Sequence, residues 1–196
     1  MRPLIIKLGG SLYAKPELKH WLDALTEYSK QQDIIIVPGG GPFADQVRTA
    51  QTAHHFSDKT AHHMAIFAMK QFALLLNDLA VESSLFDSDR PLIKTPYSIW
   101  LPNDSLLNQS SLKHSWDLTS DSLALWLASH LNAEQLVLIK CTDINSNSII
   151  QLSKDAVLDA EFANLFKQYS IPTKIVRHQQ YADIPAALAQ ATLLQL

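Results

Sequence analysis

Glycine is scarce in this chain: five residues among 196, with none beyond Gly41. Scarcity makes its placement informative, because glycine permits positive φ and close backbone approach but costs entropy in ordinary segments. All five fall in two clusters, "LIIKLGGSL" (residues 4–12) and "IIIVPGGGPFADQVR" (34–48), each directly behind an apolar run. The placement suggests one site built from two backbone loops at strand ends.

Other absences narrow the class. The single cysteine, Cys141, excludes an internal disulfide and fits a reducing cytoplasm; behind an apolar run it reads as a small buried hydrophobe. No Lys/Arg run occurs, and a net charge of −3 with 18% charged residues speaks against a nucleic-acid partner. No apolar run approaches the roughly 20 residues of a membrane span. Lys7 interrupts the N-terminal apolar run too early for a signal peptide. The expectation is a cytoplasmic protein with no membrane partner. The histidine pairs His54/His55 and His62/His63 lack an HExxH spacing or a cysteine partner, so no metal site is assigned to them.

What is present is 47% hydrophobic residue content, enough for one well-filled core. Apolar runs alternate with helical patterns, the signature of βαβ units and a largely parallel sheet. Strands are predicted over 3–8, 33–37, 135–140 and 173–177. Helices are predicted over 16–30, with Pro16 in the first turn, and over 42–54, 119–131, 159–169 and 182–194. A longer helix over 57–80 starts at Ser57 as N-cap. Its apolar stripe reads as Ala61, Met64, Ala65, Ala68, Phe72, Leu75, Leu76 and Leu79, with Phe67 and Leu74 opposite. Two apolar faces suggest a core helix or one that also forms a dimer interface, and a homodimer is the expected assembly. Short strands are expected near 84–87, 92–95 and 98–101, between Pro91, Pro96 and Pro102, a loop over 142–148 and a short strand over 149–152. The fold class expected is α/β, a three-layer α/β/α sandwich on a largely parallel open sheet.

Lys7 lies inside the first strand, two residues before a glycine pair. A buried ammonium is costly unless an anion meets it. It either snorkels to the strand end or binds phosphate beside the amides of Gly9, Gly10 and Ser11, which can form an anion-binding concavity. The triple glycine Gly39–Gly41 opens a helix, where free N–H groups and the dipole attract phosphate. Neither cluster completes a dinucleotide fingerprint or a P-loop. In "SWDLTSDSLALWLA" (115–128), Thr119, Ser120 and Asp121 stand at a helix start, and capping suffices to explain them. Alternatively, the carboxylate orients lysines or holds a phosphate-bound magnesium. In "LIKCTDINSNS" (138–148), Lys140 and Asp143 end a strand, the edge where open parallel sheets bind ligands; both can equally be solvated loop charges.

In this order and spacing, "KLGGS", "VPGGGPFADQVR", "TSDSLALWLA" and "LIKCTD" resemble the amino acid kinase family, which includes acetylglutamate, carbamate, uridylate and isopentenyl phosphate kinases. Within it, "SDKTAHHMAIFAMKQF" followed by "SWDLTSDS" is most similar to the small kinases of the methanofuran pathway. These serve one-carbon cofactor biosynthesis and convert an aminomethylfuran-methanol phosphate to its diphosphate.

The resemblance implies an ATP- and Mg²⁺-dependent phosphotransferase of one domain, 1–196, with an acceptor lobe over 1–118 and a shortened nucleotide lobe over 119–196. By match, Lys7 and Asp121 are catalytic, with Asp121 positioning the lysine. Gly9, Gly10, Ser11, Lys140 and Asp143 bind the nucleotide; Gly39, Gly40, Gly41, Arg48, Thr119 and Ser120 bind the acceptor. The late glycine-rich stretch with a second lysine, usual in the family, is missing, and Asn145 and Ser146 replace an Asp-Gly. A non-catalytic ligand-binding or regulatory protein is therefore the rival reading. Three glycine amides at a helix N-terminus, with Arg48 on that helix, suit a doubly charged phosphate better than a carboxylate. The expected acceptor is a small-molecule phosphomonoester, with aminomethylfuran phosphate ahead of isopentenyl phosphate or a nucleoside monophosphate.

Overall fold

Strand β1 (Leu4–Leu8) is buried at every position, as the centre of a sheet covered on both faces requires. The structure, a computed structural model, describes residues 2–87, 97–109 and 112–196. The expected strand over 92–95 lies outside the described residues. β1 pairs in parallel with β2 (Ile34–Pro38) on one side and with β5 (Gln135–Lys140) on the other. Outward from β2 lie β4 (Tyr97–Trp100) and β3 (Ser84–Phe86); outward from β5 lie β6 (Thr173–Arg177) and β7 (Thr192–Leu193). The sheet order is β3-β4-β2-β1-β5-β6-β7, parallel throughout except for antiparallel β7.

Alternation along the strands divides the core into two layers. Ile5, Ile35, Val37, Leu136 and Leu138 face one cluster with α4 (Ser120–His130), α5 (Ile149–Lys154) and α6 (Phe162–Tyr169). Leu4, Ile6, Leu8, Ile36 and Ile139 face the other, with α1 (Glu17–Tyr28) and α7 (Ile184–Gln190). Burying each such side chain stabilises the fold by about 1.5–3 kcal/mol. In α1 the apolar positions Leu18, Trp21, Leu22 and Leu25 all point inward, and the Trp21 indole N–H is satisfied by the carbonyl of His178 at 2.7 Å. Pro16 sits at the N-cap of α1, one position outside the predicted first turn.

Helix α2 (Gly41–His54) runs against α3 (Asp58–Leu79), whose Ser57 N-cap accepts from the Thr60 amide at 3.2 Å, as the sequence predicts. The stripe of α3 departs from the predicted one. His62, Ile66, Met69 and Ala73 are buried, whereas Met64 and Leu79 are exposed. α3 serves both core layers, Ile66 and Met69 joining the first and Phe72, Ala73 and Leu76 the second, so its buried face winds around the helix. Phe67 and Leu74 remain 40% and 54% exposed.

Two late elements also differ from prediction. Residues 149–152 open a helix, α5, instead of a strand: Ser148 caps Gln151, and Ile149 and Leu152 bury three apart while Ile150 is exposed. Three apolar residues in a four-residue stretch do not distinguish the two states by periodicity. The final helix spans only Ile184–Gln190, because the chain then turns back and pairs with the open edge of β6. No helix among the described residues is long and apolar enough to cross a membrane.

Candidate active site

The two glycine loops emerge side by side from β1 and β2 and touch through their backbones. A Cβ on Gly10 would lie 2.3 Å from the Gly41 nitrogen, and one on Gly39 would lie 2.4 Å from the Gly10 nitrogen. Gly41, the first residue of α2, has φ of +54°. Contact between the loops, as much as approach to a ligand, demands glycine here. The Gly39 amide is already used, donating to the Leu8 carbonyl at 2.9 Å. Gly40 and Gly41 head α2, and Gly10 and Ser11 head a 3-10 turn (Gly10–Leu12), where helical geometry gives the first amides no partner.

Below these loops lies a buried charge cluster. Lys7 and Lys140 end adjacent parallel strands and face the same side as Ile5 and Leu138, towards the start of α4. There Asp121, fully enclosed, takes both: Lys7 Nζ lies 2.9 Å from Oδ1 and Lys140 Nζ 2.5 Å from Oδ2. Lys7 does not snorkel; it is 5% exposed. Lys140 also donates to the Val157 carbonyl at 2.6 Å, whereas Asp121 Oδ1 receives no well-aimed hydrogen bond. Burial pushes the Asp121 carboxyl up, but the charges of Lys140 and Lys7 outweigh it and hold the group down at about 2. Burial pushes the Lys140 ammonium below its ordinary value, against the pull of Asp121. With two ammonium groups on one carboxylate, the cluster carries net positive charge in a site largely closed to water. An anion is the complement it lacks.

Helix α4 is capped from outside. Thr119 occupies the N-cap position without using its side chain as a cap. Instead Asp159, ahead of α6, accepts from the Thr119 amide at 3.0 Å, the Thr119 hydroxyl at 2.9 Å, the Ser122 amide at 3.0 Å and the Ser122 hydroxyl at 2.5 Å. Burial and the Asp121 charge push the Asp159 carboxyl up, while these hydrogen bonds oppose the shift. Asp121 is thereby relieved of capping, and its oxygens are left to the lysines. Asp159 was missed in the sequence because it acts across 37 to 40 residues.

Two cavities lie beyond the strand ends. The first, about 470 Å³, is lined by Gly10, Ser11, Gly40, Gly41, Arg48, Thr119 and Ser120, all predicted site residues. Gly9 and Gly39 do not line it; the Gly9 backbone stands over Lys7, a Cβ there lying 3.6 Å from Lys7 Nζ. Also on its wall are Trp116, His62, Ile66 and Met69, which sequence reasoning did not assign to a site. The Arg48 guanidinium lies 3.9 Å from the centre of the Trp116 ring, and Trp116 donates to Gln51 at 2.6 Å, so α2 holds both. His62 is 4% exposed; burial first, and the neighbouring His114 second, lower its pKa to about 4.

The second cavity, about 560 Å³, is lined by Cys141, Thr142, Asp143, Arg177 and His178 beyond the ends of β5 and β6. Of the predicted nucleotide residues it holds Asp143, while Lys140 joins Asp121 next door. Cys141 is half-exposed at this cavity instead of buried. Ser120 of the first cavity precedes Asp121 and Cys141 of the second follows Lys140, so each cavity is lined by a chain neighbour of the cluster, though not by Lys7, Asp121 or Lys140. Among the described residues no group of three or more His, Cys, Asp or Glu side chains could hold a metal ion. Both Asp121 oxygens face lysines, so a magnesium ion would arrive held by its nucleotide's phosphates and water.

A model of the amino acid kinase family matches residues 2–95. The (5-(aminomethyl)furan-3-yl)methyl phosphate kinase of Methanocaldococcus jannaschii is 33% identical over 199 residues, covering 90% of this chain and 89% of that protein. The structure of uridylate kinase from Archaeoglobus fulgidus is similar with a TM-score of 0.71 at 15% identity, covering 98% of both chains. UMP kinase from Ureaplasma parvum is similar with a TM-score of 0.72 at 14% identity, covering 100% of this chain and 99% of that one. The three motifs at strand ends, the one that opens α4, the sheet between them and a relative aligned over nearly the whole length agree: the chain belongs to the amino acid kinase family.

Proposed function

We propose that the protein transfers the γ-phosphoryl group of ATP to a phosphomonoester, making a diphosphate, and that the acceptor is an aminomethylfuran-methanol phosphate. The protein is a phosphotransferase of its family; the choice of acceptor is the finer step. The observation that carries the reading is the buried Lys7–Asp121–Lys140 cluster at strand ends where the glycine loops line one cavity and Cys141 and Asp143 another.

In this reading the first cavity takes the acceptor, its phosphate lying against the amides of Gly40 and Gly41, with Arg48 and Ser120 nearby. The nucleotide occupies the second cavity beside Asp143 and Arg177, its phosphates reaching towards Gly9, Gly10 and Ser11. Residues 1–118 chiefly serve the acceptor and 119–196 the nucleotide. An acceptor phosphate oxygen attacks the γ-phosphorus, the bond to the β–γ bridging oxygen breaks, and ADP leaves with that electron pair. Charge spreads over the transferred group in the transition state. Lys7 and Lys140, held still by Asp121, meet that charge without reorganising. Lys140 supplies the second lysine that the missing late stretch would otherwise provide. Magnesium, carried by the nucleotide, would neutralise phosphate charge; the protein's part is positioning and a preformed cationic floor.

A homodimer through the exposed Phe67 and Leu74 face of α3 belongs to the same proposal, and light scattering at micromolar concentration tests it. For the reaction, phosphorus NMR of a turnover mixture is decisive. ATP, magnesium and a panel of aminomethylfuran, isopentenyl and nucleoside monophosphates should yield a diphosphate doublet, strongest with the furan. An acyl phosphate from acetylglutamate or carbamate, with no diphosphate from any phosphomonoester, would refute the reading.

A further inference from the structure

The wall that α3 gives to the first cavity is apolar but for one residue. His62, Ala65, Ile66 and Met69 share one helical stripe and all line the cavity. His62 is fixed on its other sides. Its ring stacks on His114 with centroids 5.4 Å apart and planes 14° from parallel, and the Ser115 backbone lies close enough to oppose the lowering of its pKa. A neutral imidazole has a proton on one ring nitrogen and offers an acceptor at the other. Its burial keeps it uncharged at neutral pH, so it does not repel a cation. The carboxylate on the rim, Asp45, is exposed and already faces Arg48 at 3.8 Å.

We infer that His62 is the specificity-determining residue for the amine of the acceptor: its unprotonated ring nitrogen accepts a hydrogen bond from the substrate's ammonium group. This rests on the proposed acceptor and deepens it. The phosphate end needs donors, which the glycine amides and Arg48 supply. An ammonium end needs an acceptor, and on this otherwise apolar wall His62 supplies it. The burial of His62 also raises selectivity, because an analogue without the amine leaves a buried ring nitrogen unpaired.

The test compares two acceptors identical except that a methyl group replaces the aminomethyl group. In the wild type, kcat/KM should favour the amine by about tenfold or more. His62→Leu should bring the ratio to within about threefold, chiefly by weakening the amine substrate. His62→Gln, which retains an acceptor oxygen, should keep part of the preference. A ratio unchanged in His62→Leu overturns the inference, as does loss of the preference in Asp45→Asn with His62→Leu unaffected. If the leucine variant fails to fold, ¹⁵N NMR of the wild-type imidazole decides. The amine ligand should shift the unprotonated His62 nitrogen and the methyl analogue should not; equal shifts, or none, overturn it. If neither compound yields a diphosphate, the proposed reaction fails separately, and the NMR comparison, which needs only binding, still judges His62.

Discussion

Lys140 occupies the Asp121 oxygen opposite to the one that faces Lys7. One carboxylate thus sets the separation of two ammonium groups from neighbouring strands. Lys7→Ala and Lys140→Ala should each lower kcat by about a hundredfold or more, the scale of removing one preorganised electrostatic stabiliser. Asp121→Asn should be as damaging, and it leaves two buried ammonium groups without their anion, costing about 3–5 kcal/mol of stability. Helix α4 should persist, since Asp159 does the capping. Bound ATP should then raise the melting temperature of Asp121→Asn more than that of the wild type, its phosphates supplying the lost charge. A wild-type rate in Asp121→Asn would remove the cluster from catalysis.

The glycines separate fold from activity. Gly10→Ala and Gly39→Ala drive a methyl into the backbone of the other loop and should cost roughly 4 kcal/mol or more, a size reserved for severe clashes. At Gly9 the backbone is extended and a Cβ would meet the Ile139 carbonyl at 3.3 Å and Lys7 Nζ at 3.6 Å. Gly9→Ala should therefore unfold within about 1 kcal/mol of wild type while losing about tenfold or more in kcat. Urea melts beside steady-state rates check both; equal stability losses at Gly9 and Gly10 would contradict the loop contact.

Acid should act in two stages. The His62 pKa is lowered from 6.5 to about 4, so between these values the unfolded chain binds a proton that the native protein refuses. Stability then falls as pH drops from about 6.5 to 4. Asp121 is lowered too, from 3.8 to about 2, by its lysine partners; its contribution is intact above 3.8 and is lost as pH falls towards 2. Urea midpoints measured from pH 7 to 3 should show the first decline, and His62→Asn should flatten it. An identical profile in that variant would assign the decline to other groups.

Cys141 reports on the second cavity. Half-exposed and the chain's one thiol, it should react with a maleimide, and a non-hydrolysable ATP analogue with magnesium should slow that reaction about tenfold or more once its affinity places [L] above 10 Kd. A phosphomonoester acceptor alone should leave the rate unchanged. Protection by the acceptor and none by the nucleotide would exchange the proposed roles of the two cavities.

What was legible from sequence was whatever is local. The glycine loops, Lys7 and the order of motifs follow from strand ends and residue type, and the parallel sheet follows from alternating patterns. Asp159 was not legible, because an acid before a short helix looks like any solvated charge until the fold brings it under α4. His62 looked like half of an ordinary pair, since only the winding of α3 between two core layers turns it towards the cavity. The partnership of Lys140 with Asp121 needed the register of β5 against β1. Helix α5 and strand β7 were misread where a short, mostly apolar stretch, or a short helical tail, left the outcome to tertiary pairing.

The contact of Gly10 with Gly39 and Gly41 has a mechanical consequence. The two loops, proposed to lie under donor and acceptor phosphates, are braced against each other by main chain, so no rotamer intervenes between them. Thermal motion of side chains then leaves the gap between the two loops nearly constant. The cavity walls can be resurfaced for a different guest without moving the point at which phosphorus changes hands.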